Sequence, residues 1–316
     1  MEIEEVSDIC KSLIDEVSKA IVGKKSVLQK TLLGILANGN ILFEDYPGLA
    51  KTLLSNCFSR TLGCDFKRIQ FTPDLLPADI TGSFIYDKNS GDFKMRKGPI
   101  FTNILLADEV NRAPPKTQAA LLEAMQEKQT TIEGETHTLD DPFIVIATQN
   151  PIEYEGTYPL PEAQVDRFLL RLDVGYPSAE DEVEILRRRK ERKTDDVQIN
   201  RVIDPETLID MQEKIEDVHL DDDIKRYIVN IVQKTRKNKD VEVGSSPRGS
   251  LALMKLSMAN AAMRGRDYVV PDDVKFITTE ALSHRLVLKP GPAIKGVEEE
   301  EVIAKTLKDV PVPKIE

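Results

Sequence analysis

The sequence predicts an α/β fold with a parallel sheet, followed by a second domain made of helices. Short apolar runs bounded by turn residues alternate with segments of helical periodicity over the first half of the chain, which is the pattern of a parallel sheet flanked by helices. Two segments, in each of which apolar and polar residues alternate on both sides of a polar turn, interrupt this order of strands and helices. Beyond residue 176 only helical periodicity remains. We therefore expect an α/β core over residues 1–175 and a helical domain over residues 176–316.

Helices and strands follow one another in a regular order within the predicted core. Apolar residues recur at helical spacing over residues 6–21 and again over residues 27–35, so two helices precede the sheet. The predicted strands are residues 40–43, 66–71, 103–107, 143–148 and 168–174. Helical segments at residues 51–62 and 115–125 lie between strands, as connections between parallel strands require.

Two inserts, near residues 82–98 and near residues 128–141, have the pattern of β-hairpins. In the first, alternating apolar residues lie on both sides of a polar turn. In the second, residues 129–132 would pair with residues 136–139 across a turn at residues 133–135. Both inserts are therefore predicted to be two-stranded.

Composition and charge exclude several classes of protein. No apolar stretch of the chain reaches the roughly 18 residues that a membrane-spanning helix needs. The chain has 43 Lys and Arg against 54 Asp and Glu, and this formal net charge of −11 disfavours a general binder of nucleic-acid phosphates. Its three cysteines are scattered through apolar segments and its N-terminus is acidic, which predicts a cytoplasmic location. Its three histidines lack zinc-ligand spacing, so we expect no structural zinc.

A phosphate-binding loop is predicted directly after the first strand. Residues 45–52 read DYPGLAKT and then open a helix, where backbone N–H groups and the helix dipole favour an anion. Lys51 could reach the β- and γ-phosphates of a nucleotide, and Thr52 could offer its hydroxyl to Mg²⁺. Asp45 and Ala50 stand where the strict pattern GxxxxGK[ST] has glycine. The loop alone therefore leaves nucleotide binding and a plain strand–turn–helix connection equally open.

Acidic and amide residues follow two later strands. The third predicted strand leads into Asp108 and Glu109, which at the end of a buried parallel strand could hold Mg²⁺ and activate water. Such a pair is also common in a solvated turn, but its order after a loop lysine favours Mg²⁺-nucleotide chemistry. Asn150 follows the fourth strand and could hydrogen-bond the attacking water or the γ-phosphate. An asparagine before proline is also frequent in plain turns.

Seven stretches of the chain occur in an order that matches one known family. They are IVG at residues 21–23, PGLAKT at 47–52, RIQFTPDLLP at 68–77, LADEVNRAPPKTQ at 106–118, ATQNP at 147–151, LPEAQVDRF at 160–168 and SPR at 246–248. With these stretches the chain resembles the MoxR family of AAA+ ATPases over most of its length. The resemblance implies an AAA+ P-loop core, in which a parallel sheet is flanked by helices and β-hairpin inserts, followed by a small all-helical lid domain.

The resemblance also implies how ATP and Mg²⁺ would be bound. The nucleotide-binding residues would be Ile21, Val22 and Gly23 beside the adenine, Pro47, Gly48, Leu49, Ala50, Lys51, Thr52 and Leu53 in the Walker A loop, and Asp108 in the Walker B strand. Thr52 and Asp108 would hold Mg²⁺, with Asp108 acting through a water molecule. Asp45 departs from the family pattern, and a carboxylate beside phosphates weakens binding unless it points away. We expect Asp45→Gly to keep the fold and not to weaken ATP binding.

The same resemblance assigns the catalytic residues. Glu109 would activate the attacking water, and Asn150 would be the sensor 1 residue. Arg167 would be the arginine finger, which completes the active site of the neighbouring subunit. Arg248 would be sensor 2, reaching back from the lid to the γ-phosphate and coupling hydrolysis to the lid position. Without the resemblance, Arg167 and Arg248 would be read as ion-paired or surface arginines.

The implied activity is ATP hydrolysis by a ring, a hexamer in the simplest case, that remodels or matures a protein client. This work would include cofactor or metal insertion, and relatives often act with partners that carry a von Willebrand factor A domain. Two other functions stay open from the sequence. One is an ATP-binding switch or scaffold with little turnover. The other is a DNA-handling AAA+ motor, which the net charge of −11 disfavours.

Overall fold

The computed structural model describes residues 1–46, 48–89, 91–150 and 157–313 of the chain. In chain order, the strands are β1 (Ile41–Glu44), β2 (Phe66–Gln70), β3 (Gly82–Asp87), β4 (Asp92–Lys97), β5 (Ile104–Asp108), β6 (Gln129–Ile132), β7 (Glu135–Thr138), β8 (Ile144–Gln149), β9 (Leu170–Leu172), β10 (Val241–Val243) and β11 (Val287–Leu288). The helices are α1 (Ile3–Ser18), α2 (Lys25–Leu36), α3 (Lys51–Thr61), α4 (Pro77–Thr81), α5 (Pro115–Glu127), α6 (Glu162–Val165), α7 (Ala179–Arg192), α8 (Pro205–Glu216), α9 (Asp222–Arg236), α10 (Pro247–Met263), α11 (Pro271–Leu282), α12 (Pro290–Ile294) and α13 (Glu299–Asp309). Short 3-10 helices occur at Val110–Arg112 and Ser283–Arg285.

The central sheet is parallel and covered by helices. Within the described residues it has five strands in the order β2-β5-β8-β1-β9, and each neighbouring pair is parallel. These are the strands that the apolar runs predict, with ends shifted by one or two residues. Because both faces of the sheet are covered, its central strands β5, β8 and β1 are almost continuously apolar and buried. The edge strands β2 and β9 also carry polar side chains. The predicted α/β fold is confirmed.

Both predicted inserts are β-hairpins. β3 pairs with β4 so that Tyr86 lies opposite Phe93, as the alternating pattern predicts. β6 pairs with β7 across a shorter turn than expected, because Glu135 already belongs to the strand. Glu133 and Gly134 both have positive φ, at 50° and 90°. This is the conformation of the two-residue turns that match the twist of paired strands.

Helices dominate the chain after β9. Side chains of Ser178, Asp204, Asp221 and Ser246 cap the first turns of α7, α8, α9 and α10 by accepting hydrogen bonds from backbone N–H groups. A short antiparallel pair, β10 with β11, accompanies them and was not predicted. Strands of three and two residues are too short to display a period of two. Across the described ranges, no helix combines the length and apolar character needed to cross a membrane.

The hydrophobic core continues from the N-terminal helices into the helical part of the chain. α1 and α2 pack against α8 and α10 as well as against elements of the core. Buried Val6 and Leu13 of α1 belong to the same apolar cluster as Leu253 and Leu256 of α10. A second cluster fills the opposite face of the sheet beneath α5. The later helices are thus anchored on the N-terminal ones, and the division at residue 175 stays a prediction.

The cysteines are unpaired and buried. Desolvation raises the pKa of Cys10 to about 12 and that of Cys57 to about 11. Burial, followed by the charge of Asp65, raises the pKa of Cys64 to about 12. A thiol that stays protonated is a poor nucleophile. The three thiols are therefore poor nucleophiles.

Candidate active site

A cavity of about 430 Å³ opens at the carboxyl edge of the sheet, and we call it the P-loop cavity. β5, β8 and β1 are neighbours there, so the segments that follow these strands meet. The lining residues are Asp45, Gly48, Leu49, Ala50, Lys51, Thr52, Leu53, Arg68, Gln70, Asp108, Glu109, Thr148, Gln149 and Asn150. The fold therefore brings the Walker A residues, the acidic pair and Asn150 together. Pro47 of the predicted set lies outside the described residues.

The phosphate-binding loop keeps a glycine-like backbone at two positions. Gly48 has φ +83° and Ala50 has φ +58°, both in the left-handed region. No heavy atom lies within 4 Å of a Cβ placed at Gly48, so the backbone conformation alone favours glycine there. An alanine in this region costs roughly 1 kcal/mol. Ala50 directly precedes α3, and its conformation therefore gives the loop the shape that a glycine would provide.

Lys51 is held over the loop by the loop backbone. Its Nζ donates hydrogen bonds to the carbonyl oxygens of Asp45 at 2.7 Å and Tyr46 at 2.9 Å. Desolvation lowers the pKa of Lys51, and the charges of Asp45, Asp108 and Glu109 oppose this shift. The ammonium group thus lies half-buried near carboxylates at the start of a helix. A phosphate would be a stronger partner for it than two neutral carbonyl groups.

Asp108 and Glu109 are oriented by side chains from the strands on both sides of β5. Thr148 on β8 donates from Oγ1 to Asp108 Oδ1 at 2.5 Å and accepts from the backbone N–H of Glu109 at 2.8 Å. On the other side, Arg68 of β2 donates from Nη2 to Asp108 Oδ2 at 2.6 Å. Gln70, also on β2, donates from Nε2 to Glu109 Oε2 at 2.6 Å. The acidic pair is therefore fixed in a network that spans three strands.

Sequence reasoning gave no role to Arg68, Gln70 or Thr148. These residues contact the acidic pair because β2 and β8 are its neighbours in the sheet, with Gln70 directly opposite Asp108 in register. Strand order was the signal that could have identified them. A parallel α/β pattern predicts that the carboxyl ends of the strands lie at the same edge of the sheet. It does not predict which strands are adjacent.

Asn150 is buried in the P-loop cavity directly after β8. Its carbonyl oxygen accepts a hydrogen bond from Asn111 Nδ2 at 3.4 Å. Because β8 lies between β5 and β1, Asn150 stands between Glu109 and the phosphate-binding loop. A side chain in this place can reach both a water molecule beside Glu109 and a phosphate held by the loop.

The oxygen donors of the cavity suit a magnesium ion that arrives with a nucleotide. Thr52 and Asp108, which the family resemblance pairs as Mg²⁺ ligands, both line the cavity. Mg²⁺ is commonly held by one or two protein carboxylates together with phosphates and waters. In the part of the chain that the structure describes, no group of three or more His, Cys, Asp or Glu could hold an ion alone. The residues therefore fit Mg²⁺ bound with a nucleotide.

The carboxylate of Asp45 accepts hydrogen bonds from three backbone N–H groups, which changes its expected role. Its side chain is buried, with 6% of the residue exposed. Oδ1 accepts from the backbone N–H of Tyr46 at 2.7 Å, and Oδ2 accepts from those of Val174 at 2.9 Å and Gly175 at 2.6 Å. Val174 and Gly175 connect β9 to α7. Asp45 thus ties the loop to that connection, and Asp45→Gly is expected to loosen the tie instead of being neutral.

Arg167 and Arg248 lie together, but in a second cavity of about 250 Å³ that we call the arginine cavity. Asp166 and Arg285 also line it, and among the described residues it shares no lining residue with the P-loop cavity. Arg248 Nη1 lies 3.6 Å from Asp166 Oδ2. The structure does not bring Arg248 to the P-loop cavity of its own chain. The reason is the packing of α10 on α1 and α2, which holds the start of α10 beside Asp166.

The predicted adenine-binding segment, residues 21–23, lines neither cavity. The next residue, Lys24, donates from Nζ to the carbonyl oxygen of Tyr176 at 2.7 Å. The Tyr176 ring stacks on that of Tyr46, with ring centroids 6.0 Å apart. The segment is therefore linked to the phosphate-binding loop through the connection between β9 and α7, and its contact with adenine stays a prediction.

Comparisons with known proteins agree with this architecture. Residues 40–170 match the model of the ATPase family associated with various cellular activities (AAA), and residues 233–306 match the AAA lid domain. The chain is 46% identical to the uncharacterized protein YeaC of Bacillus subtilis, over 98% of this chain and 97% of that protein. It is 43% identical to Chaperone MoxR1 of Mycobacterium tuberculosis, over 96% of this chain and 82% of that protein. A crystal structure of a candidate ATPase from Cytophaga hutchinsonii is similar with a TM-score of 0.91 and 41% identity, over 98% of this chain and 96% of that one. Likeness of this extent in both sequence and fold means that the chain belongs to the MoxR family of AAA+ ATPases.

Proposed function

We propose that the protein hydrolyses ATP in a ring, a hexamer in the simplest case, whose active sites are shared between neighbouring subunits. The cycle would remodel or mature a protein client. The separation of the two cavities carries this proposal. The P-loop cavity holds the phosphate-binding and acidic residues, whereas the arginines expected at the γ-phosphate line the other cavity. A second copy of the chain would supply those arginines.

Within one subunit, Lys51 would exchange the two loop carbonyls for phosphate oxygens. Charge-assisted hydrogen bonds to phosphate are stronger than those to neutral carbonyls, and N–H groups at the start of α3 would bind the same phosphates. Thr52 and Asp108 would hold Mg²⁺, which neutralises phosphate charge when bound. Asp108 would then give up part of its ion pair with Arg68. Nucleotide binding would in this way change the contacts of Arg68 on β2.

Glu109 would be the general base that orients and deprotonates the attacking water. Gln70 holds its carboxylate from β2, and Thr148 holds its backbone N–H from β8. Asn150 would hydrogen-bond the same water or the γ-phosphate. A base positioned in this manner typically contributes about 10²–10⁴-fold to the rate.

Arg167 and Arg248 of the next subunit would approach the γ-phosphate together, because both line the arginine cavity. Arg167 Nη1 donates to the carbonyl oxygen of Leu122 at 3.3 Å, and its buried Nε has no hydrogen-bond partner among the described residues. Its guanidinium would therefore lose little hydrogen-bond energy on turning toward a phosphate. The two cations would stabilise the negative charge on the transferred phosphoryl group. Sensor 2 would thus act on the neighbour's nucleotide.

The hairpin β3–β4 is the surface that we propose for the client. Phe93 near its tip is 69% exposed, and its ring contacts that of Tyr86, which is also exposed. Exposed apolar residues that cluster on a soluble protein commonly mark a binding surface. The client would be held there while residues 176–316, taken as the lid, move together with the segment around Arg167 relative to the rest of residues 1–175. The family resemblance adds two elements to this proposal. One is cofactor or metal insertion into the client, and the other is a partner with a von Willebrand factor A domain.

A nucleotide switch with little turnover is the second candidate, and one observation favours it. Asp108 already forms an ion pair with Arg68 at 2.6 Å, and Lys51 is bonded to its own loop. ATP binding would weaken the first interaction and replace the second. Binding alone could then shift the conformation without hydrolysis.

The deciding experiment is the ATPase activity per subunit, with Mg²⁺, over a wide range of protein concentration. A shared site predicts specific activity that rises with concentration and then saturates, while Lys51→Ala stays inactive throughout. Activity independent of concentration in samples that sediment as monomers would contradict the shared site. Binding of a fluorescent ATP analogue with no turnover at any concentration would favour the switch.

A further inference from the structure

We infer that Arg285 is a positioning residue for ATP hydrolysis, which fixes the segment carrying Arg167 to the lid so that both move as one body. Arg285 ends the 3-10 helix that follows α11. The inference rests on the proposed function, since it concerns how Arg167 is presented to the ATP of a neighbouring subunit. The inference adds Arg285 as a lid residue that controls the position of Arg167 without contacting the nucleotide.

The hydrogen bonds of Arg285 converge on the residues that flank Arg167. Its side chain is only 3% exposed. Nη1 donates to the carbonyl oxygen of Asp166 at 2.6 Å and also to Asp166 Oδ1, while Nη2 donates to the carbonyl oxygen of Phe168 at 2.6 Å. Nε donates to the carbonyl oxygen of Ala281 at 2.7 Å, within the last turn of α11. One guanidinium thus clamps the backbone on both sides of Arg167 and joins it to the lid helix.

Asp166 extends this clamp to the second arginine of the cavity. Its Oδ2 accepts a hydrogen bond from Ser246 Oγ at 3.1 Å and lies 3.6 Å from Arg248 Nη1. Ser246 is also the N-cap of α10, where its Oγ accepts from the backbone N–H of Arg248 at 3.1 Å. Asp166 therefore lies between Arg285 and Arg248. A displacement of the lid would carry Arg167 and Arg248 together.

His284 reinforces the same attachment. It is buried, and its Nε2 lies 3.2 Å from the carbonyl oxygen of Phe168. Desolvation, followed by the charges of Arg285 and Arg171, lowers the pKa of His284 well below its ordinary value. The neutral ring can donate from Nε2 to that carbonyl. Phe168 is therefore bonded by two successive lid residues.

A purely structural anchor would not require this arrangement. Burying a guanidinium costs free energy, and apolar contacts of similar volume often hold elements together equally well. Arg167 itself has a long side-chain hydrogen bond, 3.3 Å to the carbonyl oxygen of Leu122. The direction of the finger is therefore set mainly by its backbone, which is the part that Arg285 holds.

The test compares Arg285→Lys with Arg266→Lys as a matched control. Arg266 is another lid arginine paired with a buried carboxylate, and it donates to Asp273 Oδ1 at 2.7 Å and Oδ2 at 2.8 Å. Neither Arg266 nor Asp273 lines the arginine cavity. Lysine keeps the charge in both variants but loses the planar fork of donors. The two substitutions should therefore weaken the lid to a similar degree and differ in their effect on the finger.

Arg285→Lys is expected to lower kcat by about 10-fold or more, because a small misplacement of a catalytic group is costly. The Kd for a fluorescent ATP analogue should change by less than about twofold, since the P-loop cavity is intact. Arg266→Lys should lower the melting temperature comparably and keep kcat within about twofold of wild type. A kcat for Arg285→Lys within about twofold of wild type would overturn the inference.

Subunit mixing separates positioning from loss of folding. Arg285→Lys subunits keep an intact P-loop cavity, and Glu109→Gln subunits keep an intact arginine cavity. In an equal mixture, about one quarter of the interfaces would join the two intact halves. The mixture should therefore hydrolyse ATP faster than the sum of the two variants alone. Arg167→Ala mixed with Glu109→Gln should behave in the same way.

The outcomes distinguish this inference from the proposed function. If the Arg167→Ala mixture gains activity and the Arg285→Lys mixture does not, the positioning role is refuted. If neither mixture gains activity, the shared site is refuted and the inference falls with it. Should Arg285→Lys fail to fold, Asp166→Asn replaces it, because it removes the charge between Arg285 and Arg248 while keeping the side-chain shape. The same expected and opposing results then apply.

Discussion

The P-loop cavity and the arginine cavity are built by different means. The first gathers residues that end or follow strands, and the order of the parallel sheet sets their positions. The second gathers residues from the segment after α2, the end of α5, the approach to β9, the first half of α10 and the 3-10 helix that follows α11. Its geometry depends on hydrogen bonds to Asp166 and to nearby backbone carbonyls. One half of the proposed site thus depends on topology, and the other half depends on a buried ionic network.

This difference suggests how each half should respond to mutation. In the P-loop cavity the strands fix the backbone positions, so removing one side chain should disturb only the side chains that it contacts directly, as Gln70 contacts Glu109. Removing one member of the ionic network displaces its neighbours, because charged residues in contact are energetically coupled. Effects in the P-loop cavity should therefore be confined to one step of the reaction. Effects in the arginine cavity should spread to several residues.

The largest effect is expected from Arg167→Ala, which tests whether the two cavities have separate roles in ATP binding and turnover. Loss of an arginine finger should lower kcat by about 10³-fold. The Kd for ATP should stay nearly constant, because Arg167 does not line the P-loop cavity of its own chain. Phosphate release at saturating protein concentration and titration with a fluorescent ATP analogue measure the two quantities. Lys255→Ala, which removes another cation of the arginine cavity, serves as the control.

Lys255→Ala should lower kcat by less than about 10-fold, because a specific finger is not replaced by general positive charge. Equal losses in both variants would mean that only the net charge of the cavity matters. If Arg167→Ala lowers ATP affinity as much as it lowers turnover, the two cavities do not have separate roles.

The next largest effect is expected from Glu109→Gln, which tests the P-loop half alone. The amide cannot accept the proton of water, so kcat should fall by about 10²-fold or more. ATP binding and ring assembly should persist, because the phosphate-binding loop and the arginine cavity are unchanged. Gln70→Leu removes the hydrogen bond to Glu109 and should give a smaller loss in the same direction. Hydrolysis by Glu109→Gln at the wild-type rate would show that another group is the base.

The sequence predicts the P-loop half well because its information is local. A lysine after a turn, an acidic pair after an apolar run and an amide after another run can each be recognised without the rest of the fold. Strand adjacency is not local, and for that reason Arg68 and Thr148 were missed. The role of Asp45 depends on backbone groups about 130 residues away in the sequence. A pattern in the loop cannot reveal such a partner.

The arginine half is predicted less completely. Helical periodicity shows which face of α10 is buried, but it does not state which neighbours that face meets. The structure packs α10 on the N-terminal helices, and this contact turns Arg248 toward Asp166 and away from the P-loop cavity. Arg285 carries no motif of its own. Its importance becomes visible only when its hydrogen bonds around Arg167 are known.

A moderate effect is expected from Asp45, which joins the P-loop to the start of the lid. Asp45→Gly would leave the backbone N–H groups of Val174 and Gly175 without an acceptor, and a buried unpaired group costs about 1–3 kcal/mol. Asp45→Asn keeps one acceptor oxygen and should lose less. Urea unfolding measures both losses, and ATP titration should show weaker binding in the glycine variant. A glycine variant as stable as wild type would mean that this tie contributes nothing.

The smallest effect is expected from Asp173, which lies directly after β9 beside this tie. Desolvation, opposed by the charge of Arg171 and reinforced by the charges of Asp45 and Glu44, raises the pKa of Asp173 to about 6. The folded protein therefore holds a proton here that the unfolded chain releases near pH 4, so this contribution to stability is present at low pH and is lost as pH rises through 6.

Because Asp173 is exposed, solvent screening should limit the stability change to less than about 1 kcal/mol. Asp173→Asn should remove this pH dependence and stabilise the protein slightly at pH 7.5 relative to wild type. Urea unfolding between pH 4.5 and 7.5 measures the difference, with Asp210→Asn on the exposed side of α8 as the control. A stability difference between Asp173→Asn and wild type that does not change with pH would mean that the carboxyl group does not titrate in this range.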